Sequence, residues 1–291
     1  MVQYSNSPMS GSLYIVSTPI GNLEDVTLRA LKTLKAVGLI AAEDTRRTSK
    51  LLRHFGIETP TTSLHEHNEH QKVAHLLHRL KEGTDIALVS DAGTPLVADP
   101  GQRFVAAAVA QGIPIIPIPG ASAILAALVA SGLAADQFVF AGFVPSRSNE
   151  RNKWLAALVD ERRPVVIFET PHRIARTLEA IARILVDRPI IIARELTKTH
   201  EQIVRTTTDR LNDQLIMEKG EFVLVLGWPL TQASPLSATS DETVVSYVGQ
   251  LTIGGGFSKR RAAARAAAKF GLSTNHVYAL MERKKPHPPP A

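Results

Sequence analysis

Six short loops in this 291-residue chain share one design: an apolar run stops, and small residues or an acid follow at once. The clearest lies in DIALVSDAGTPLVADPG, residues 85–101. There the run from Ile86 to Val89 reads as a parallel strand buried on both faces. It passes through Ser90 and Asp91 into Ala92, Gly93, Thr94, Pro95 and Leu96, and a second turn at Asp99, Pro100 and Gly101 opens a helix. Gly93 would let a ligand approach the backbone, and Pro95 would fix the chain beside it. The other five loops span residues 19–22, 43–46, 120–122, 168–173 and 194–198. In a parallel sheet the carboxyl ends of all strands share one edge, so such loops converge on a cleft. A cleft that wide can bury a cofactor with adenosine-like and charged parts. Taken singly, each loop is equally well an ordinary tight turn between strand and helix.

Other chemistries are poorly served. The chain has no G-x-x-x-x-G-K-[ST] and no G-x-G-x-x-G after a strand, which weighs against phosphate-loop and ordinary dinucleotide sites. It has no cysteine, hence no disulfide, thiolate nucleophile or cysteine zinc site. The run HEHNEH, with His65, Glu66, His67, Asn68, Glu69 and His70, invites a metal, but H-E-x-x-H fails because position 69 is Glu. We expect no metal here and read a loop presenting polar groups, either to a substrate or to solvent.

The elements that would position these loops follow from periodicity. Residues 13–17, 38–42, 86–89 and 113–118 read as strands, and the segments between them carry helical apolar spacing, such as Val73, Leu76, Leu77 and Leu80. Asn68 and Gln71 resemble a capping box at the start of that helix. This repeat of strand, loop and helix predicts a mostly parallel sheet over residues 13–118. Residues 119–230 differ, with five strand candidates (138–143, 165–168, 190–193, 203–207 and 222–226) and two good helices, near 151–159 and 173–185. That density predicts a second α/β domain with antiparallel pairs.

Residues 231–240 (TQASPLSATS) read as a linker, and three short helices follow at 241–251, 258–270 and 274–283. Residues 258–291 hold Lys259, Arg260, Arg261, Arg265, Lys269, Arg283, Lys284 and Lys285 against the single acid Glu282, whereas the rest of the chain is nearly neutral. A neutral body with a basic end suggests a tethered polyanion-binding module over 241–285, and a solubilising tail is the plain alternative. Residues 1–12 are expected to be a disordered tail and 286–291 a Pro-rich one. The polar start lacks a signal peptide pattern, which suggests a cytoplasmic protein. Phe104 to Ala135 is uncharged and long enough to span a membrane, but Gly112, Pro114, Pro117, Pro119 and Gly120 interrupt it, and no membrane association is expected.

Read in order, LYIVSTPIGNLEDVTLRAL, IAAEDTR, SLHEHNE, SDAGTPLVADPG, PIPGASA, FETPHR, ARELTKTHE and KGEFVLVLG resemble the tetrapyrrole-methylase-fold (class III) S-adenosylmethionine methyltransferases. They are most similar to the branch that methylates the 2′-oxygen of a cytidine ribose in bacterial 16S ribosomal RNA. The likeness runs nearly unbroken from residue 13 to about 227. It implies two α/β domains of the tetrapyrrole methylase fold with a cofactor cleft between them, plus a small C-terminal helix-turn-helix-like domain, and a homodimer.

The resemblance also implies sites. S-adenosylmethionine would lie along Asp91, Ala92, Gly93, Thr94, Pro95 and Leu96, with Ala121, Ser122 and Ala123 as a second wall. Phe168, Glu169 and Thr170 would flank the adenosine, with Gly220, Glu221 and Phe222 behind. Pro19 and Gly21 occupy the family's first Gly/Pro loop, which reads P-I-G-N here where many tetrapyrrole enzymes have G-x-G-P-G. For the proton of the acceptor hydroxyl, Asp44, Glu169 and Glu195 are candidate carboxylates, and Arg46 and Lys198 could hold phosphate or an alkoxide. Each also fits an ion pair lining a cleft, and Glu169 also fits a helix cap. RNA contacts are expected from His65, His67, Asn68, Lys259, Arg260, Arg261, Arg265 and Lys269, with 16S rRNA or the small ribosomal subunit as partner. A methyltransferase for a tetrapyrrole or other small molecule, and a non-catalytic RNA-binding assembly factor with a retained pocket, remain the alternatives.

Overall fold

Each strand of the first sheet delivers its chain to a helix through one of the loops above. The computed structural model describes residues 10–213, 219–228, 241–253, 257–270 and 272–283. In chain order the first half runs β1 (Leu13–Val16), α1 (Leu28–Ala36), β2 (Leu39–Ala42), α2 (Thr45–His54), β3 (Thr61–Ser63), α3 (Glu69–Lys81), β4 (Ile86–Val89), α4 (Gln102–Ala110), β5 (Ile115–Ile118) and α5 (Ala123–Ser131). The strand order is β3-β2-β4-β1-β5, with every pair parallel. Alternation along β4 explains the two-sided core: Ile86 and Leu88 pack on one face with Phe104 and Leu76, and Ala87 and Val89 on the other with Leu34 and Leu52. Side chains at the strand ends start the helices. The Thr27 hydroxyl caps α1, the Asp44 carboxylate accepts from Arg46 N at 2.8 Å to cap α2, and Ser122 caps α5.

The second half runs β6 (Val139–Phe143), α6 (Ser148–Ala157), β7 (Val165–Glu169), α7 (Ile174–Ile184), β8 (Pro189–Arg194), β9 (Gln202–Thr207) and β10 (Phe222–Leu226). Its sheet, ordered β6-β7-β10-β8-β9, has β6 parallel to β7 and antiparallel pairing elsewhere, as the strand density predicted. One face of β10 (Phe222, Leu224, Leu226) packs under α6 and α7. The other face (Val223, Val225) meets α5 and Ile20, so apolar packing joins the two domains. Among the described residues, no helix is long and apolar enough to cross a membrane.

Helices α8 (Asp241–Ile253), α9 (Lys259–Phe270) and α10 (Thr274–Arg283) close on a small core in which Ala262, Ala263, Ala266 and Ala267 let the helices approach Val244, Val248, Val277 and Leu280. Ser273 caps α10 by accepting from His276 N at 3.1 Å.

Three expectations change. Edge strand β3 went unforeseen because TTS is short and half-buried. Asn68 is not a forward cap: its amide turns back, accepting from His65 N at 2.9 Å and donating to the Ser63 hydroxyl at 3.1 Å. Within the expected tail over 1–12, Gly11 and Ser12 are fixed, Gly11 N donating to Leu80 O and Ser12 N to Asp85 Oδ1, each at 2.7 Å. The expected linker at 231–240, Gly271, Lys284, Lys285 and the tail at 286–291 lie outside the described residues.

Candidate active site

The loops after β1, β4 and β5 are stitched to one another before any ligand is considered. Thr18 and Gly93 exchange backbone hydrogen bonds at 2.9 and 3.0 Å. The hydroxyls of Ser17 and Thr94 lie 3.0 Å apart, and that of Thr94 reaches the Ala121 carbonyl at 3.4 Å. Gly93 has φ +77°, and a Cβ there would press on Ile20 at 3.3 Å. Further along the same loop, Leu96 and Ala98 are held in left-handed conformations (φ 74° and 67°). Such backbone costs of order 1–3 kcal/mol per residue and persists only when its surroundings impose it. It delivers Asp99 to the edge of the sheet.

The result is a cavity of about 730 Å³ between the two domains. Such a volume suits a ligand of cofactor size. Asp91, Ala92, Gly93 and Thr94 line it from the first domain, and Ser122 and Ala123 at the start of α5 line it beside them. Phe168, Glu169, Thr170, Glu221 and Phe222 line it from the second. Six residues expected at the donor do not line it. Pro19, Gly21, Pro95 and Leu96 shape the loops behind it, and Ala121 contributes its carbonyl to Thr94. Gly220 is a packing glycine, with φ +94° and Glu195 Oε1 only 2.6 Å from where a Cβ would stand.

Glu43, Arg47, Asp99 and Phe143 line the cavity as well, and sequence reading passed over all four. Glu43 was inside the loop at 43–46 and Asp99 inside the quoted run, so their signal was present but undivided from that of their neighbours. Phe143 reaches the cleft through a β-bulge in β6, and its ring and that of Phe140 meet Phe168 edge-on at 5.5 and 4.9 Å. The second-domain side of the cleft therefore carries an aromatic cluster, and the loops after β2 and β4 form an acidic end (Glu43, Asp91 and Asp99). Burial pushes the Glu43 carboxyl up against the hydrogen bond it accepts from Asp91 N, and the Asp91 charge offsets part of that lowering. Burial, with the charges of Glu43 and Asp91, also raises Asp99 to about 6 against a hydrogen bond from Ser90.

The candidate proton acceptors are otherwise engaged. Asp44 pairs with Arg46, 2.9 Å away and mostly exposed, and hydrogen bonds from Arg46 lower Asp44 to about 2. Glu169 is buried and accepts from Thr170 N (2.6 Å), Arg173 (2.7 Å) and the Thr177 hydroxyl (2.7 Å), which fixes the start of α7. Glu195 accepts from Lys198 and from Glu221 N, each at 2.9 Å, and Lys198 also reaches Glu221. Burial alone would raise Glu195, but these partners outweigh it and lower its pKa. These groups brace the cleft walls.

A second cavity of about 810 Å³ adjoins the first and is lined by His65, His67, His70, Glu66, Glu69 and Arg103 among others. His65 faces Asn68, His70 meets the Arg103 guanidinium, and Glu69 accepts from the backbone N–H groups of Arg103 and Phe104. Among the described residues, no three His, Asp or Glu side chains are placed to hold a metal ion.

On the C-terminal helices, Lys259, Arg260 and Arg261 are exposed. Arg265 and Lys269 turn inward, contrary to the RNA-facing role expected for them. Arg265 is 11% exposed, 3.7 Å from Asp160 of the second domain and stacked on Phe257. Lys269 sits 4.1 Å above the Tyr247 ring, where burial lowers its pKa.

Two α/β sheets meeting at a cleft built from strand-end loops define a class, and sequence comparison agrees. The chain belongs to the tetrapyrrole (corrin/porphyrin) methylase family, whose model matches residues 12–212. Over nearly its whole length it is similar to proteins named Ribosomal RNA small subunit methyltransferase I. That of Synechocystis sp. is 44% identical over 273 residues, covering 93% of this chain and 97% of that one. That of Haemophilus influenzae is 44% identical over 276 residues, covering 93% and 96%. Among solved structures, uroporphyrin-III C-methyltransferase from Thermus thermophilus complexed with S-adenyl homocysteine superposes with a TM-score of 0.54. It is 17% identical and covers 75% of this chain and 97% of that one, a likeness of fold. The protein is an S-adenosylmethionine-dependent methyltransferase. Its cleft fits that donor: the aromatic residues Phe143 and Phe168 could take the adenine, and Asp91 and Asp99 the cationic methionine portion.

Proposed function

We propose that the protein transfers the methyl group of S-adenosylmethionine to the 2′-hydroxyl of a cytidine ribose in 16S ribosomal RNA of the small subunit, in the cytoplasm. The observation that carries this reading is the second, polar cavity opening directly onto the acidic end of the donor cleft. A groove of His, Glu and Arg offers partners to both the hydroxyls and the phosphates of a nucleotide. Residues 13–118 and 119–230 form the two halves of the donor site in this reading, and residues 241–285 the RNA-binding module. Lys259, Arg260 and Arg261 give that module an exposed basic face.

The bound donor supplies an activated methyl group. The chain's own residues hold the reactants in line, which accounts for most of the acceleration. Asp91 to Thr94, Ser122 and Ala123, and Phe168 with Thr170 are the groups that hold the donor in this reading. The protein works as a homodimer: helix α5 is apolar all round, and Leu125 and Val129 on its outer face are 52% and 77% exposed, a surface that a second copy would cover.

The test is transfer of a tritiated methyl group to small-subunit particles, naked 16S rRNA and a tetrapyrrole in parallel. Label at one cytidine ribose is the expected outcome. Label on the tetrapyrrole alone would overturn the reading, and sedimentation of the same preparation tests the dimer.

A further inference from the structure

Two cavities on the sheet edge have just two lining residues in common, Glu43 and Asp99. Those two carboxylates therefore stand where the groove beside His65 and Arg103 borders the donor cleft. We propose that Glu43 is the catalytic proton acceptor, its carboxylate standing where the acceptor hydroxyl from the groove meets the donor cleft. This rests on the reading of the protein as a ribose methyltransferase.

The neighbouring carboxylates are less suited. Asp44, Glu169 and Glu195 are committed to Arg46, to Arg173 with Thr177, and to Lys198. Asp91 Oδ1 accepts from Asp44 N at 3.0 Å, and its Oδ2 lies 3.4 Å from Arg47. Asp99 is tied to Ser90 on the donor side of the left-handed loop, where its charge complements a cationic donor. Glu43 follows directly on β2, a strand buried along its whole length, so its backbone is held rigidly. The Asp91 N–H holds Oε2 at 3.3 Å. Among the described residues no hydrogen bond is made to Oε1, which is left to accept one. Burial raises this carboxyl, which makes it a better base than a solvated glutamate. The charged groups around it are Asp91, Asp44, Asp99 and Arg47 on the cleft side, and His65, Glu66, His67, Glu69, His70 and Arg103 across the groove.

The step balances. The hydroxyl oxygen forms the new O–CH3 bond and the C–S bond breaks with its electron pair going to sulfur. The hydroxyl proton passes to Glu43 and from there to water.

The decisive comparison uses the full chain, Glu43→Gln and Glu43→Asp, with small-subunit particles as acceptor. Single-turnover transfer at saturating donor should fall about 10²–10⁴-fold in Glu43→Gln and recover in part in Glu43→Asp. Calorimetry should give S-adenosylhomocysteine affinity within about threefold of the parent, since uniform binding is not what a proton acceptor supplies. The parent's rate should rise with pH through an ionisation above the ordinary glutamate range, and Glu43→Gln should lose that rise. Unchanged transfer in Glu43→Gln overturns the proposal, as does a loss of transfer matched by an equal loss of donor affinity. If the parent itself fails to methylate the particles, the ribose reading falls and this assignment falls with it. With the parent active, Glu43→Gln alone decides.

Discussion

Gly21 of the first domain and Lys198 of the second are so close that a Cβ on the glycine would stand 2.6 Å from Lys198 Cγ and 2.7 Å from Thr197 Oγ1. Asn22 N donates to that same Thr197 hydroxyl at 3.0 Å. The first Gly/Pro loop thus serves as a joint between the domains, one step removed from the cavity. Gly21→Ala should cost about 1–3 kcal/mol by overpacking. Because the joint sets the width of the cleft, donor affinity should fall about tenfold in the same variant, each tenfold corresponding to about 1.4 kcal/mol. Thermal melts and calorimetry with S-adenosylhomocysteine read the two effects separately, and a melt that drops with affinity intact would confine Gly21 to stability.

Asp91 joins two loops, holding Asp44 N and Arg47 while facing the donor cavity. Asp91→Ala removes a charge from the acidic end of the cleft and a charge-assisted hydrogen bond, so donor affinity should fall at least tenfold. The fold should survive with a loss of roughly 1.5–3 kcal/mol, the scale of a hydrogen bond to a charged group. Circular dichroism melts beside calorimetry check this. Gross unfolding would make the residue a structural one.

Asp99 sets a pH dependence whose sign is opposite to that of most carboxylates. Its folded pKa is about 6 against an ordinary value of 3.8, the main cause being burial. The folded state therefore holds a proton that the unfolded chain has lost between those values, and stability rises as pH falls through about 6. Above pH 6 the buried charge is a cost, which Asp99→Asn removes. The variant should melt higher than the parent at pH 7–8, with the difference shrinking toward pH 4. Donor affinity should move the other way, weakening as Asp99 is neutralised by acid or by mutation, because a cationic ligand loses its counter-charge. A variant that melts no higher at pH 8 would show that the carboxylate is not strained by burial.

The central strands β2, β4 and β10 were legible because each is a short apolar run buried along its whole length, and the turn residues after β2 and β4 have few other uses. The loop at 91–96, Ser122 and Phe168 could be read for the same reason. What escaped was the partner of each charged group. Asp44 and Glu169 look identical to a catalytic carboxylate in sequence, and only the proximity of Arg46, Arg173 and Thr177 gives them structural roles. Glu43 and Asp99 lie next to more conspicuous residues, and their importance comes from two cavities meeting, a relation between segments 56 positions apart. The bulge that carries Phe143 into the cleft leaves no mark on the alternation of VFAGF beyond its glycine.

The basic end divides in the same way, and its two halves should behave differently on RNA. Charge counting treated Lys259, Arg260, Arg261, Arg265 and Lys269 alike. The structure exposes the first three and turns Arg265 toward Asp160 and Lys269 onto Tyr247. Each phosphate contact contributes about 0.9 to the slope of log affinity against log salt on a duplex, and about 0.7 on single strands. Replacing Lys259 and Arg260 together by Ala should therefore weaken binding to 16S rRNA and flatten that slope by roughly 1.5–2. Arg265→Ala should leave the slope unchanged. Its effect should be on docking, since its guanidinium ties α9 to the second domain through a partly shielded ion pair worth no more than about 1 kcal/mol. Hydrogen exchange in α8–α10 should then quicken while exchange in β7 and β10 stays as in the parent. A salt slope that falls in Arg265→Ala as much as in the Lys259 and Arg260 double variant would mean that α9 reorients on RNA and that the inward pairing is not the bound arrangement.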